Sequence, residues 1–263
     1  MSFQGDADTV QSVARTFAIL EHMAASGGEA GVSDLAGQLG LALPTIHRLM
    51  RTLMSLGYVR QLPSRRYALG PALARLSHQA YQMLGEWARP SLLRLEAAVG
   101  ETANLATLDG EMVAYIGQIP SRHQMRMFTE VGRRVHAHST GVGKAILSVL
   151  DERSLRRIID HTGMPKYTDR TIVDFVKLQR ELDVIRARGY AIDDGEQEDG
   201  VRCLALAVPG ALPPTAVSVS GPSSRITADS EERIVEALCI AADELSEVLG
   251  GYGKSSTHLG ASI

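Results

Sequence analysis

Residues 32–59 read VSDLAGQLGLALPTIHRLMRTLMSLGYV. Ser33 is a helix-capping residue type, and Leu35, Ala36 and Leu39 behind it recur at helical spacing. Gly40 supplies a tight turn. A second apolar stripe, Ile46, Leu49, Leu53 and Leu56, predicts a helix over 44–56 that Gly57 closes. That stripe leaves Thr45, His47, Arg48, Arg51 and Thr52 on the outer side. Two short helices across a glycine turn, the second with a basic outer face, make a helix-turn-helix. A corner of an ordinary helical core looks the same, so the flanks decide.

Upstream, Val13, Phe17, Leu20 and Ala24 predict a first helix over 10–25, ended by Gly27-Gly28. Downstream, YVRQL-PSR-RYALG predicts two short strands around a polar tip. Three helices and a hairpin form a winged helix-turn-helix pattern. Arginine can give two hydrogen bonds to a guanine edge, and threonine can meet a thymine methyl or a phosphate. Arg65 and Arg66, at the wing, are placed for phosphates or the minor groove.

Charge agrees. Residues 9–71 carry Arg15, Arg48, Arg51, Arg60, Arg65 and Arg66 against Glu21, Glu29 and Asp34, although the whole chain is at −3. A basic module on an acidic body suggests that the N-terminal part meets a polyanion. No apolar run reaches membrane-spanning length, and MSFQGDADT is not a signal peptide. Two cysteines, Cys203 and Cys239, form no CxxC and no disulfide framework. A cytoplasmic location is expected.

The stretch 71–88 is a further striped helix through Leu73, Leu76, Ala80, Met83 and Trp87, with Pro90 expected to restart a helix at 91. From residue 102 strand-like segments appear: TANLATL, EMVAYIGQI, QMRMFTEV and RVHAH, with Asp109-Gly110 as a hairpin turn. Helices are predicted over 143–150, 152–160 and 174–189. Strands return at YAID, CLALAV and TAVSVSG before a last helix striped by Ile234, Leu238, Ala241, Leu245 and Leu249. The class is α+β with an antiparallel sheet. The expected organisation is a winged helix-turn-helix at 9–71, a linker helix at 72–88, an effector domain at 89–250 and a disordered tail at 251–263. Residues 1–8 are also read as disordered.

Taken in order, TVQSVARTFAIL, LPTIHRLMRTLMSLGYV, RYALGPAL, VHAHSTGVGKAIL, GYAIDDGEQEDGVRCLA and VSVSGPSSR resemble the IclR family of bacterial transcriptional regulators over about residues 9–250. The resemblance implies a winged helix-turn-helix, a linker helix, a GAF-like effector domain, dimers that often pair into tetramers on DNA, and control by a small metabolite. Family precedent favours repression of a catabolic operon. Thr45 and Arg48 match the family's pattern. Leu43-Pro44 departs from a frequent Lys-Ser pair and starts the helix at Pro44.

Within STGVGKAIL, GVGK fails the phosphate-loop pattern: His138 stands where the first glycine belongs and Ala145 follows the lysine. What survives is a glycine-rich helix start whose free N–H groups suit a carboxylate, or simply close packing of helix on sheet. In VSVSG, Ser218 and Ser220 share one strand face, suited to a small polar ligand or to solvent. Cys203 reads as a packing cysteine rather than a reactive thiol, and most acids of DDGEQED read as solvated loop charges. The resemblance implies that the Gly141 and Val142 backbone holds a ligand carboxylate, with Ser218, Ser220, Asp193 and Cys203 around it. RMFTEVG and SGPSSR look like the branch that responds to glyoxylate, so a 2-oxo acid or ureide is the favoured effector. An aromatic or sugar acid, or no small molecule at all, is the alternative. Met125, Met127 and Leu204 are possible walls, though core packing is the plainer reading of each.

No cofactor is expected. His136 and His138 share a face if RVHAH is a strand, but no third ligand stands at recognised metal spacing, so no metal site is assigned. No GxSxG elbow is present and Cys203 has no placed histidine, so no catalytic residue is assigned and an enzyme is not expected.

Overall fold

The computed structural model describes residues 10–127 and 130–250. The expectations of disorder for residues 1–8 and 251–263 lie outside them. The chain divides into two compact units, Met1–Ala80 and Tyr81–Ile263.

The first unit holds α1 (Gln11–Ala25), β1 (Glu29–Ala30), α2 (Val32–Leu39), α3 (Leu43–Ser55), β2 (Val59–Gln61) and β3 (Tyr67–Leu69). The strands form an antiparallel sheet in the order β1-β3-β2. Gly40, at φ 63°, makes the α2–α3 turn. Ala42 is the N-cap of α3, so the helix begins one residue before Pro44, which sits in the first turn where its missing N–H is harmless.

The core of this unit is Ile19, Met23, Leu35, Ile46, Leu49, Met50, Leu53 and Val59. That corrects the predicted inner faces. Helix α1 is apolar on two sides, and the Ile19–Met23 side is buried while Val13 and Phe17 are more than half exposed. On α3, Met50 takes the inner place expected of Leu56, which lies past the end of the helix and is 59% exposed.

Helix α4 (Ala72–Val99) runs unbroken through Pro90, where a restart was expected. Proline removes one helical hydrogen bond and crowds the preceding turn. The buried side chains Ala88, Leu92, Leu95 and Val99 continue on one stripe across it, and their burial offsets that cost. The stripe predicted for 71–88 is instead largely exposed at Leu76, Met83 and Trp87.

The second unit is a six-stranded antiparallel sheet in the order β6-β5-β4-β9-β8-β7. Its strands are β4 (Thr102–Asp109), β5 (Met112–Ile119), β6 (Arg134–Val135), β7 (Ala191–Asp194), β8 (Val201–Ala207) and β9 (Thr215–Pro222). Its helices are α5 (Gly141–Ser148), α6 (Glu152–Thr162), α7 (Phe175–Arg188) and α8 (Ala228–Leu249). Gly110, at φ 65°, turns β4 into β5. One core gathers the second half of α4 and the Ile234–Leu249 stripe of α8 against Leu105, Leu204, Val217 and Val219. The other gathers α5, α6 and α7 against Ala106, Val113, Ala205 and Ala216.

Two expected strands are absent or short. Of the expected strand QMRMFTEV, 124–127 carry no strand, with a bend at 124–125, and 128–129 lie outside the described residues. Gly132 and Arg133 instead close a turn onto Tyr115, by bonds of 2.7 and 3.0 Å. In RVHAH the strand stops at Val135 and Ala137–Ser139 form a 3₁₀ turn.

Candidate functional site

On α3, His47, Arg48, Arg51 and Thr52 are exposed and Thr45 is half-buried. Neither Arg48 nor Arg51 has an ion-pair partner among the described residues, so their guanidinium donors are free. The Thr52 hydroxyl bonds back to the Arg48 carbonyl at 3.2 Å and lines an apolar groove with Leu49, Leu53 and Leu56. Arg65 sits exposed at the wing tip in the left-handed region, φ 63°. Arg66 turns the other way: it lies 4.0 Å from Glu29 and 3.6 Å from Asp34. Its charge ties the wing to β1 and α2.

In the second unit two rows of residues cross the sheet side by side. One is Asp193–Cys203–Ser220–Thr102, the other Ala205–Ser218–Asn104–Gln118. The rows are two residues apart along each strand, so their side chains share a face. Helix α5 meets this face through Gly141. A Cβ built there lies 2.8 Å from Cys203 Sγ, which is why no side chain stands at that position. Gly143 is tighter still, its Cβ position 2.2 Å from the Ala137 carbonyl oxygen.

Thr140 caps α5 by accepting from the Gly143 N–H at 3.1 Å. The Gly141 and Val142 N–H groups stand in the first turn, where a helix offers no acceptor of its own. The structure therefore brings Gly141, Val142, Asp193, Cys203, Ser218 and Ser220 to one place, all of them buried. Burial pushes the Cys203 thiol up to about 11, so it is a neutral packing group rather than a nucleophile. Of the suggested walls, Leu204 is a core residue on the opposite face and Met125 is 74% exposed.

Sequence reasoning missed four members of this region. Asn104 is buried and donates to Ser218 Oγ at 3.4 Å and Ser220 Oγ at 3.3 Å, while Gln118 donates to its carbonyl at 3.1 Å. A lone carboxamide in the apolar strand TANLATL was the available signal. Lys144 is wholly buried and ion-pairs with Glu196, with Glu181 at 3.5 Å. A lysine inside an otherwise apolar helical turn could have flagged it. Glu196 is 8% exposed, so this acid of DDGEQED is not a solvated loop charge. The Asp193 carboxylate accepts from the Glu196 N–H at 2.7 Å and so shapes that loop.

The histidine pair is not a strand-borne ligand set. The His136 and His138 rings stand edge to face with centroids 5.7 Å apart, and Tyr167 Oη reaches His136 Nδ1 at 2.6 Å. Burial holds His138 below its ordinary pKa, and its Nε2 lies 3.1 Å from the Pro165 carbonyl. No group of three or more histidine, cysteine or acidic side chains suited to a metal occurs among the described residues.

A winged helix-turn-helix with free arginines on its third helix, followed by a second, sheet-based domain, is the layout of a DNA-binding transcriptional regulator. The comparisons give the family. The model of the bacterial transcriptional regulator IclR C-terminal domain matches residues 80–247, and that of the IclR helix-turn-helix domain matches residues 12–63. The chain is 35% identical to the transcriptional repressor IclR of Escherichia coli, covering 92% of this chain and 91% of that one. It is 34% identical to the E. coli repressor AllR, covering 91% and 90%. The crystal structure of Thermotoga maritima IclR superposes with a TM-score of 0.62 at 27% identity, covering 92% and 100%. The chain belongs to the IclR family of transcriptional regulators, and is a regulator rather than an enzyme. No helix of the described residues is long and apolar enough to cross a membrane.

Proposed function

We propose that the chain is a repressor of a catabolic operon, and that a small carboxylate sets its hold on DNA. The ligand is a 2-oxo acid such as glyoxylate, or a related ureide. The observation that carries this reading is the meeting of the α5 N-terminus with the Ser218–Ser220–Cys203–Asp193 face. Unspent N–H groups and two hydroxyls in a buried site suit one carboxylate. The relatives named as repressors support the direction of control.

On the DNA side, α3 lies in the major groove with His47, Arg48 and Arg51 outward, flanked by Thr45 and Thr52, and Arg65 meets the backbone at the wing. Arg66 acts there through the wing it braces. The working form is a homodimer or a pair of dimers. Its first contact is the groove of about 470 Å³ between Val13, Phe17, Leu20, Leu53, Leu56 and Leu76. Exposed apolar surface of this kind marks an interaction site.

A ligand changes operator affinity only by binding one arrangement better than another. The test is binding of the purified protein to its own upstream DNA, with and without glyoxylate, pyruvate, allantoin and an aromatic acid. A shift produced by glyoxylate or pyruvate supports the carboxylate, and a shift produced by allantoin alone supports the ureide in its place. A shift produced only by the aromatic acid replaces the ligand class, and specific DNA binding that none of them alters removes the small-carboxylate effector.

A further inference from the structure

The polarity of the buried site is set one strand away from the residues already placed around the ligand. Asn104 lies on β4 opposite Ser218, is 1% exposed, and touches both serine hydroxyls. A carboxamide has two N–H donors on nitrogen and only acceptor capacity on oxygen. Gln118 Nε2 donates to Asn104 Oδ1, which couples the two amides and, as they stand, turns Asn104 Nδ2 to the serines. Both Nδ2 hydrogens are then spent on Ser218 and Ser220, each of which accepts through Oγ. A hydroxyl that accepts from one side keeps its own proton for another partner. Turning both amides over would make the serines donate to Asn104 and present lone pairs to the site instead.

We propose that Asn104, oriented by Gln118, is a specificity-determining residue: it commits the Ser218 and Ser220 hydroxyls to donate to the ligand, so the site selects an acceptor-only carboxylate over a carboxamide of the same shape. The assignment rests on the proposed ligand site. Together with the Gly141 and Val142 N–H groups it makes the α5 and β9 side of the site a set of donors, with the Asp193 carboxylate, an acceptor, two strands away on β7. A carboxylate seated at those donors satisfies all of them, whereas a carboxamide in the same place turns at least one N–H against them and leaves a buried donor unpaired.

The experiment is calorimetric titration of the full chain with pyruvate and with pyruvamide, which differ only in that group, for wild type, Asn104→Asp and Gln118→Met. Wild type is expected to favour pyruvate by about tenfold or more, the scale of a charge-assisted hydrogen bond. Asn104→Asp can only accept, so the serines turn toward it; pyruvate binding falls at least about tenfold and the preference moves toward pyruvamide. Gln118→Met introduces no charge and frees the Asn104 amide to turn, so the pyruvate-to-pyruvamide ratio falls while the melting temperature stays near wild type. A packing role alone would not move that ratio.

Wild-type preference for pyruvamide, or an unchanged ratio in both variants, overturns the role of Asn104 while leaving the ligand site in place. Gln118→Met alone decides the matter if Asn104→Asp does not fold. Wild type that binds neither pyruvate nor glyoxylate overturns the site reading and this proposal with it.

Discussion

The Lys144 ammonium and the Glu196 carboxylate meet inside the second unit, with Lys144 wholly buried and Glu196 8% exposed. Lys144 follows directly on the Gly141–Gly143 turn of α5, and Glu196 lies three residues beyond Asp193. The pair therefore joins two of the stretches that carry the proposed ligand contacts, the start of α5 and the end of β7.

Breaking that pair from one side is expected to be costly. Lys144→Met leaves the Glu196 carboxylate buried without its cation, a change that typically costs about 3–5 kcal/mol. Replacing both, as Lys144→Met with Glu196→Met, removes both charges and should recover most of the loss. Urea unfolding of the two variants checks this. If the double variant is no more stable than Lys144→Met, the loss comes from packing around residue 144 and not from the orphaned charge.

The same carboxylate predicts a pH dependence. Burial, opposed by Lys144, raises Glu196 from its ordinary value to about 7, and burial raises Asp193 to about 6. Between about pH 4.5 and 7 the folded chain therefore holds protons that the unfolded chain releases. The stability this contributes is complete below about pH 4.5 and is lost as pH rises through 7. Glu196→Gln cannot titrate, so unfolding free energy measured from pH 5 to 8 should fall less steeply than in wild type. Equal slopes would mean that Glu196 titrates alike in both states.

Gly141 and Gly143 should differ in how they tolerate a methyl group. At Gly141 the nearest obstacle is Cys203 Sγ, a side-chain atom. Gly141→Ala should cost about 1–3 kcal/mol by overpacking, and adding Cys203→Ala should return most of it. At Gly143 the obstacle is the Ala137 backbone at 2.2 Å, which no side-chain change relieves, so Gly143→Ala should lose more. Thermal unfolding of the three variants orders them. Failure of Cys203→Ala to restore Gly141→Ala would place the conflict elsewhere.

These comparisons show what the sequence could and could not carry. Period and punctuation place elements well: Gly40, Gly57, Gly110 and Gly189 each stand at a turn or helix end. They do not choose between two apolar faces of one helix, because that is settled by tertiary packing. So α1 buries Ile19 and Met23 rather than Val13 and Phe17, and α4 crosses Pro90 because Leu92 and Leu95 have a sheet to cover. Side-chain alternation was enough to pair Ser218 with Ser220. It could not reveal Asn104 or Gln118, whose roles depend on which strands become neighbours.

On the DNA face the structure separates the arginines. Arg48 and Arg51 have free guanidiniums, whereas Arg66 is engaged by Glu29 and Asp34. Arg48→Ala and Arg51→Ala should each weaken operator binding and, where the contact is to phosphate, lower the salt slope by about one. Ligand titration should be unchanged in both. Arg66→Ala should weaken binding less. Binding isotherms at several salt concentrations test the order, and an effect of Arg66→Ala as large as that of Arg48→Ala would make Arg66 a direct contact.

The groove of the first unit predicts how the chain assembles. Phe17 is 59% exposed and Val13 52%, and they line one apolar groove with Leu49, Leu53, Leu56 and Leu76. A two-fold contact uses the same patch on both subunits, and an exposed apolar groove on one face offers such a patch. Phe17→Glu places a charge in this groove without touching Ile19 or Met23, so the unit should keep its fold. Sedimentation velocity should then show dissociation toward smaller species at concentrations where wild type stays associated, with an unchanged circular dichroism spectrum. Operator affinity should fall as well, since two half-sites bound by one dimer hold far better than one bound by a monomer. Association of Phe17→Glu equal to wild type would move the interface off this groove and leave its apolar lining to some other partner.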